Sequence, residues 1–327
     1  MEIMDKKTEE RIRQADLITE KEFHKKVFIR GIIEFSNYCR KNCRYCGIRR
    51  ENAGVSRYRM SPDEIVSVAE MNLQKGIKTI VLQSGEDLSY TREVMSDIIR
   101  RIKALDPDCA ITLSIGERSR EDYAAFKEAG ADRFLMRFET SDRALFRQLH
   151  PDDDFDVRMR ALQDLRELGY EVGSGFMIGI PGETADADDR NIDMLEKIGV
   201  HMIGAGPFLP AAGTPMENER ISADLERCLD VYARIRIRFP KANIAAATAL
   251  DALDKGGRKL SLAAGANVVM PNTTPLKYRD SYSIYERKGK LDDHMADAEY
   301  LGAELERLGY VPMWNERGDS LLVKNNG

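Results

Sequence analysis

The sequence predicts an α/β fold, a closed (βα)8 barrel of the TIM type, and three observations carry that expectation. Short β-rich runs alternate with helical stretches eight times along the chain, a pattern that suits a parallel barrel. The 327 residues are too many for an average domain but fit one such barrel. Polar and glycine-rich segments follow the β-rich runs, where the loops of a barrel carry its chemistry.

The elements follow in order. "VFIRGIIEF" (27–35) reads as the first strand. "SPDEIVSVAEMNLQKG" is a helix with Ser61 as N-cap, Pro62 in the first turn, Glu64 completing a capping box and Gly76 as the stop. Strands are expected at 78–84, 109–114, 133–138, 171–179, 201–206, 243–248 and 266–270. Helices are expected at 90–105, 119–129, in pieces across 141–168, and near 184–198, 222–239 and 256–264. A last helix (292–308) and a polar end complete the chain. The domain expectation is an N-terminal helical segment (1–26), a barrel (27–290), and a C-terminal helix and tail packing on it (291–327). An open doubly wound sheet is the fallback. The acidic run "HPDDDFD" (150–156) reads as a solvated loop.

Composition narrows the function. Hydrophobic content is 43%, charged content 32% and net charge −5, which argues against a nucleic-acid binder. No apolar run reaches the roughly 20 residues of a membrane span. The polar, acid-containing start is unlike a signal or transit peptide, so cytoplasm is the expectation.

Three of the five cysteines crowd into "CRKNCRYCG" (39–47), spaced C-x3-C-x2-C. Structural zinc usually takes four protein ligands, and no second cysteine pair or nearby histidine is evident to complete such a site. A four-iron cluster with three thiolates and one open iron fits better, although zinc and unligated thiols remain alternatives. Arg40, Lys41, Arg44, Arg49 and Arg50 surround the loop and would offset a negative cluster.

In this setting the loop resembles that of the radical S-adenosylmethionine (SAM) superfamily. The resemblance is strongest to the HydE family of FeFe-hydrogenase maturases, over roughly residues 27 to 286. "IRGIIEFSNYCRKNCRYCGIRREN", "RYRMSPDEIV", "KTIVLQSGED", "KEAGADRFLMRFET", "LRELGYEVGSGFMIGIPGET", "GPFLP", "GANVVMPNTTP" and "YRDSY" carry it. Biotin synthase and methylornithine synthase are relatives with the same architecture.

The resemblance implies a radical SAM barrel with a [4Fe-4S] cluster on Cys39, Cys43 and Cys46. The open iron would chelate S-adenosyl-L-methionine, whose one-electron cleavage gives a 5′-deoxyadenosyl radical. It further implies cofactor contacts at Tyr45 and Met177 beside the adenine, and at Gln83, Ser84, Gly85 and Glu86 for the methionyl amine. Glu139 would meet the ribose and Arg158 the SAM carboxylate, with Arg137, Ser114 and Glu117 nearby. Contact with a ligand is the reading favoured for these charges over internal salt bridges. The substrate end would be Arg30, Thr248, Met270, Asn272, Tyr282 and Tyr285, with Arg30 and Thr248 anchoring a carboxylate. Implied partners are a small cysteine-derived or iron–carbonyl substrate, an electron donor such as ferredoxin or flavodoxin, and other maturases.

The chain departs from the family pattern in places. Phe138 stands where some relatives have histidine, Ala247 replaces a threonine before Thr248, and "PAAGTP" lacks the usual acid. The segment before the first strand is short. The C-terminal part has no cysteines for an accessory cluster.

Overall fold

The protein is described from a computed structural model covering residues 4–285 and 298–323. After the N-terminal helix α1 (Lys6–Phe23) come strands β1 (Lys26–Ile29) and β2 (Gly31–Ser36), then α2 (Pro62–Gln74), β3 (Thr79–Ser84), α3 (Arg92–Leu105), β4 (Ala110–Ser114) and α4 (Arg120–Glu128). Next are β5 (Arg133–Leu135), α5 (Arg143–Leu149), α6 (Phe155–Glu167), β6 (Glu171–Ser174), β7 (Met177–Ile178), α7 (Ala187–Ile198), β8 (Met202–Ile203), β9 (Gly206–Pro207) and α8 (Leu225–Arg238). The rest is β10 (Asn243–Ile244), a 3-10 turn (Thr248–Ala252), α9 (Gly257–Ala263), β11 (Val268–Val269), α10 (Leu276–Arg279), α11 (Ala298–Arg307) and β12 (Val311–Met313).

Seven parallel strands lie in the order β10-β8-β6-β5-β4-β3-β2. The ring then closes. β1 pairs with β11 through Phe28–Val268 and Ile29–Val269, and bridges at Ala245–Val268 and Ile32–Asn272 join the remaining edges. β1 and β2 thus form the first barrel strand, broken at Arg30, and the predicted eight-unit barrel is what the pairing shows.

Helix and strand formation follow local chemistry. In α2 the Ser61 hydroxyl accepts from the Glu64 N–H at 3.2 Å and the Glu64 carboxylate accepts from the Ser61 N–H at 2.8 Å, the predicted capping box. In α3, Met95, Ile98, Ile99 and Ile102 share one buried face at helical spacing. The strands' outward residues pack under the helices in two apolar clusters, one around Ile80, Ile111 and Phe134, the other around Ile203, Ile244 and Val269.

Several strands are shorter than predicted. The 133–138 run is a regular strand only to Leu135; beyond it the Met136 and Phe138 N–H groups still reach the Gly173 and Gly175 carbonyls, and Glu139, at φ 65°, bridges Phe176. β12 was absent from the sequence expectation: its N–H and C=O groups join β1 at Lys26–Phe28, where β1 lacks a neighbour on that side. Beyond β12 the tail crosses the floor of the barrel. Thr79 and Arg133 donate to the Arg317 carbonyl at 2.7 and 2.9 Å, and Arg30 and Asn243 both donate to the Gly318 carbonyl at 2.9 Å. Of the predicted last helix, 298–307 is present, and its start (292–297) lies outside the described residues, as do the 290/291 boundary and 324–327.

Candidate active site

The barrel's inward positions are only half-buried in its upper part. Ile32, Gln83, Ser114, Leu135, Arg137, Gly204, Ala245, Ala247 and Met270 are partly accessible, while their neighbours one residue along are buried. Strand pleating points alternate residues to opposite faces, so this alternation describes a lumen open to solvent. One wall is made of small residues, and a Cβ added at Gly204 meets no atom within 4 Å. The lumen is therefore hollow above the tail, unlike a barrel filled by layered side chains.

The cysteine loop follows β2 at the open end. Its sulfurs sit in a desolvated setting. Cys39 Sγ receives the backbone N–H groups of Lys41 and Glu86, each at 3.4 Å. Burial pushes all three thiols up, Cys46 to about 12, and Cys43 is raised further by neighbouring Cys46 and Asp153. Three neighbouring, partly desolvated thiols favour the neutral form unless a cation compensates them, which is the situation a bound metal cluster relieves. Among the described residues, the ligand atoms lying within 4.8 Å of one another belong to Cys43, His150 and Asp153, and the three sulfurs do not form such a set. Four ligands of one zinc ion sit roughly 3.8 Å apart at Zn–S distances near 2.3 Å. The donor set fits a wider cluster, one thiolate to each of three irons, better than one ion.

The other strand ends close around this loop. Gly85 touches it so tightly that a Cβ there would lie 2.3 Å from the Tyr38 carbonyl and 2.8 Å from Cys39 Cβ. Ser84 donates to the Gly85 carbonyl at 2.7 Å, and Gln83 points into the lumen. Glu86 turns under the loop, accepting from Arg40 Nε and the Glu117 N–H, both at 2.9 Å. Desolvation raises its carboxyl. Tyr45 packs against a buried group containing Met177, Leu149 and Phe208, an apolar shelf beside the cysteines.

The charges at the mouth are paired within the protein. Arg158 Nε donates to Glu117 at 2.5 Å, Nη1 to the Arg137 carbonyl at 2.6 Å and Nη2 to Asp153 at 3.2 Å. Its fork is occupied because a guanidinium this buried demands partners. These are internal ion pairs of the kind weighed against ligand contact in the sequence, and they join the loops after β4 and β5 to the segment before α6. Arg137 and Glu139 approach to 2.8 Å, yet not in hydrogen-bonding alignment, so Arg137 Nε and Nη2 and Glu139 Oε2 retain bonding capacity. Glu139 holds this place in a left-handed conformation that a non-glycine residue adopts at a cost.

On the far side, Thr248 and Tyr285 meet through their hydroxyls at 2.6 Å. Asn272 donates to Glu34 at 2.7 Å, and Tyr282 is buried beside them. Met270 borders the lumen. Arg30 lies deeper, against Gly318 and the Met202 sulfur (2.9 Å), and burial with Arg133 nearby pulls its guanidinium down to about 9. Its Nε has no hydrogen-bond partner among the described residues, and neither has the inward Thr112 hydroxyl on β4, two strands away.

Sequence reasoning missed Glu34, although Phe28, Arg30, Ile32 and Glu34 alternate visibly along the first strand. It also missed the inward part of the acidic run. Asp153 is buried and held by Lys41 and Arg158, Asp152 accepts from the Asn42 N–H at 2.7 Å, and His150 is 2% exposed against Cys43. The run is solvated at Pro151, Asp152, Asp154 and Asp156, as its composition suggests, but Asp153 turns inward because buried Lys41 and Arg158 need a carboxylate. His150, set aside in the sequence for want of proximity, is brought next to a cysteine sulfur.

Comparison with known proteins agrees with this geometry. The Radical SAM superfamily model matches residues 33–195. The chain is 49% identical over 274 residues to the [FeFe] hydrogenase maturase subunit HydE of Thermotoga maritima, covering 84% of this chain and 78% of the relative. It is 27% identical to the 3-methylornithine synthase of Methanosarcina barkeri, over 89% of this chain and 81% of that one. The crystal structure of methylornithine synthase (PylB) superposes with a TM-score of 0.83 at 25% identity, covering 96% of this chain and 91% of that one.

Proposed function

This chain belongs to the radical SAM superfamily and, within it, to the HydE family, and from that premise we propose that it works in maturation of the FeFe-hydrogenase active site, converting a small cysteine-derived or iron–carbonyl substrate. The observation that carries the proposal is a three-cysteine loop set over a hollow lumen with polar atoms short of hydrogen bonds at several depths, Arg30 Nε and Thr112 Oγ1 low and the ion-paired Arg137 and Glu139 at the mouth. Such atoms are costly to bury unless a ligand satisfies them.

Cys39, Cys43 and Cys46 would hold a [4Fe-4S] cluster, and Tyr45, Met177 and the 83–86 loop would hold SAM beside it. When bound, these groups supply one-electron cleavage of SAM to methionine and a 5′-deoxyadenosyl radical. The chain's own part is binding and exclusion of water. Glu139 and Arg137 present spare hydrogen-bonding atoms at the mouth, a fixed place for ribose hydroxyls. Lower down, Arg30 Nε and Thr112 Oγ1 suit an anionic or carboxylate-bearing substrate, with Thr248, Tyr285 and Asn272 on the opposite wall. The exposed Arg40 and Arg50 beside the loop suit an acidic electron donor such as a flavodoxin or ferredoxin.

The test is replacement. In an anaerobic maturation mixture of purified components lacking HydE, the chain is expected to restore hydrogen evolution by apo-hydrogenase. The likeness to methylornithine synthase sets the competing outcome: conversion of lysine to methylornithine, with no hydrogenase activation, would overturn the assignment.

A further inference from the structure

We propose that His150 is a positioning residue of the cluster, donating a hydrogen bond from Nδ1 to the Cys43 sulfur and thereby raising the cluster's reduction potential. The inference rests on the three-cysteine cluster proposed above.

Placement comes from α5. His150 is its C-cap, with its N–H bonded to the Phe146 carbonyl, and the preceding Leu149 carbonyl accepts from the Arg44 N–H of the cysteine loop at 2.9 Å. The imidazole is stacked on Phe146 at 4.4 Å between ring centres and meets Tyr45 edge-on at 5.5 Å. A ring so enclosed keeps one orientation.

Its proton is directed by its neighbours. Nδ1 faces Cys43 Sγ at 3.3 Å and Asp153 Oδ2 at 3.4 Å, both acceptors when ionised. Nε2 faces the Tyr45 hydroxyl at 3.5 Å, the one group of the three that has a proton to give. The Nδ1–H tautomer therefore offers its proton to one of the two acceptors and leaves Nε2 to accept from Tyr45. Of the two acceptors, sulfur is favoured. An N–H···O bond is ordinarily 2.7–3.2 Å long, so 3.4 Å is stretched, whereas the larger sulfur atom makes 3.3 Å an ordinary contact. Asp153 is moreover engaged by Lys41 and Arg158. It braces the ring without taking its proton. Hydrogen bonds to cluster sulfurs are among the factors that set iron–sulfur potentials, because they stabilise the more negative reduced state.

The experiment compares the wild-type chain, His150→Phe and His150→Gln, each reconstituted anaerobically with iron and sulfide. Iron content and the midpoint potential without SAM are measured, the latter by dithionite titration followed by electron paramagnetic resonance. The expected result is a lower midpoint in His150→Phe at full iron content and partial recovery in His150→Gln, whose amide can donate. A pulsed experiment on reduced wild-type protein carrying 15N-histidine should show a weak nitrogen coupling, and this decides the question where His150→Phe loads poorly. Equal midpoints at full iron content, or no coupling in the wild type, would overturn the role of His150 while leaving the cluster intact. Failure of the wild type to assemble any iron–sulfur cluster would overturn both proposals.

Discussion

Replacing Arg133 by methionine should unfold the barrel floor more readily than any surface change. Arg133 is fully buried, with Nε donating to Glu171 at 2.6 Å, Nη1 to Thr79 at 2.9 Å and Nη2 to the Arg317 carbonyl and Asp319. Methionine fills much of the same volume but strands Glu171, whose side chain is only 6% exposed. Removing one partner of a buried pair typically costs about 3–5 kcal/mol, most of it the uncompensated charge. With an unfolding entropy near 2.1 cal/mol/K per residue, a loss of about 4 kcal/mol lowers Tm by roughly 6 °C in a chain of this size. The assay is thermal and urea unfolding of the apo-protein under reducing conditions. Arg133→Met combined with Glu171→Gln removes the stranded charge and retains an acceptor for the Ser320 N–H, now 3.0 Å from Glu171. The double variant should regain at least half of the loss. A single-variant cost below about 1 kcal/mol, or a double variant as unstable as the two single losses summed, would refute the ion-pair account of the floor.

Two further outcomes follow from backbone and charge. At position 139, where φ is 65°, Glu139→Gly should be more stable than Glu139→Ala by about 1 kcal/mol in urea unfolding, because only glycine occupies that region without a Cβ penalty; equal stabilities would show that the site carries no strain. The Glu64 carboxyl is held down to about 2 by Lys277 and by the Ser61 N–H. A depressed carboxyl stabilises above its unfolded value of 4.5 and loses that contribution as pH falls toward 2, so the stability gap between wild type and Glu64→Gln should narrow from pH 6 to pH 3; a gap that widens on acidification would reverse the assignment.

Much of the framework was legible because it rests on local rules. The eight βα units showed in strand and helix periodicity, and the Ser61–Glu64 capping box in four consecutive residues. The cysteine loop announced itself by spacing. What stayed hidden depends on contacts distant in sequence. The acidic run at 150–156 has the composition of a solvated loop, and only the folded chain brings Lys41 to Asp153 and Cys43 to His150, more than 100 residues apart. The polar tail has no periodicity to read, yet its Gly318 carbonyl and Asp319 meet the needs of Arg30, Asn243 and Arg133 inside the barrel. The break at Arg30 was equally invisible, since β1 and β2 differ only in which neighbours they find. At the site, the sequence pointed to Arg137, Glu139 and Arg158 as charges at the mouth, but not to their division into one guanidinium bonded through all three nitrogens and one pair with capacity to spare.

The most direct test of the central claim is reductive cleavage of SAM. Reconstituted anaerobically with iron and sulfide and then given dithionite and SAM, the chain is predicted to form 5′-deoxyadenosine and methionine in equal amounts, and variants with Cys39, Cys43 or Cys46 changed to alanine to form neither. A fully loaded cluster that leaves SAM intact, or a protein that binds zinc and takes up no iron, would contradict the account.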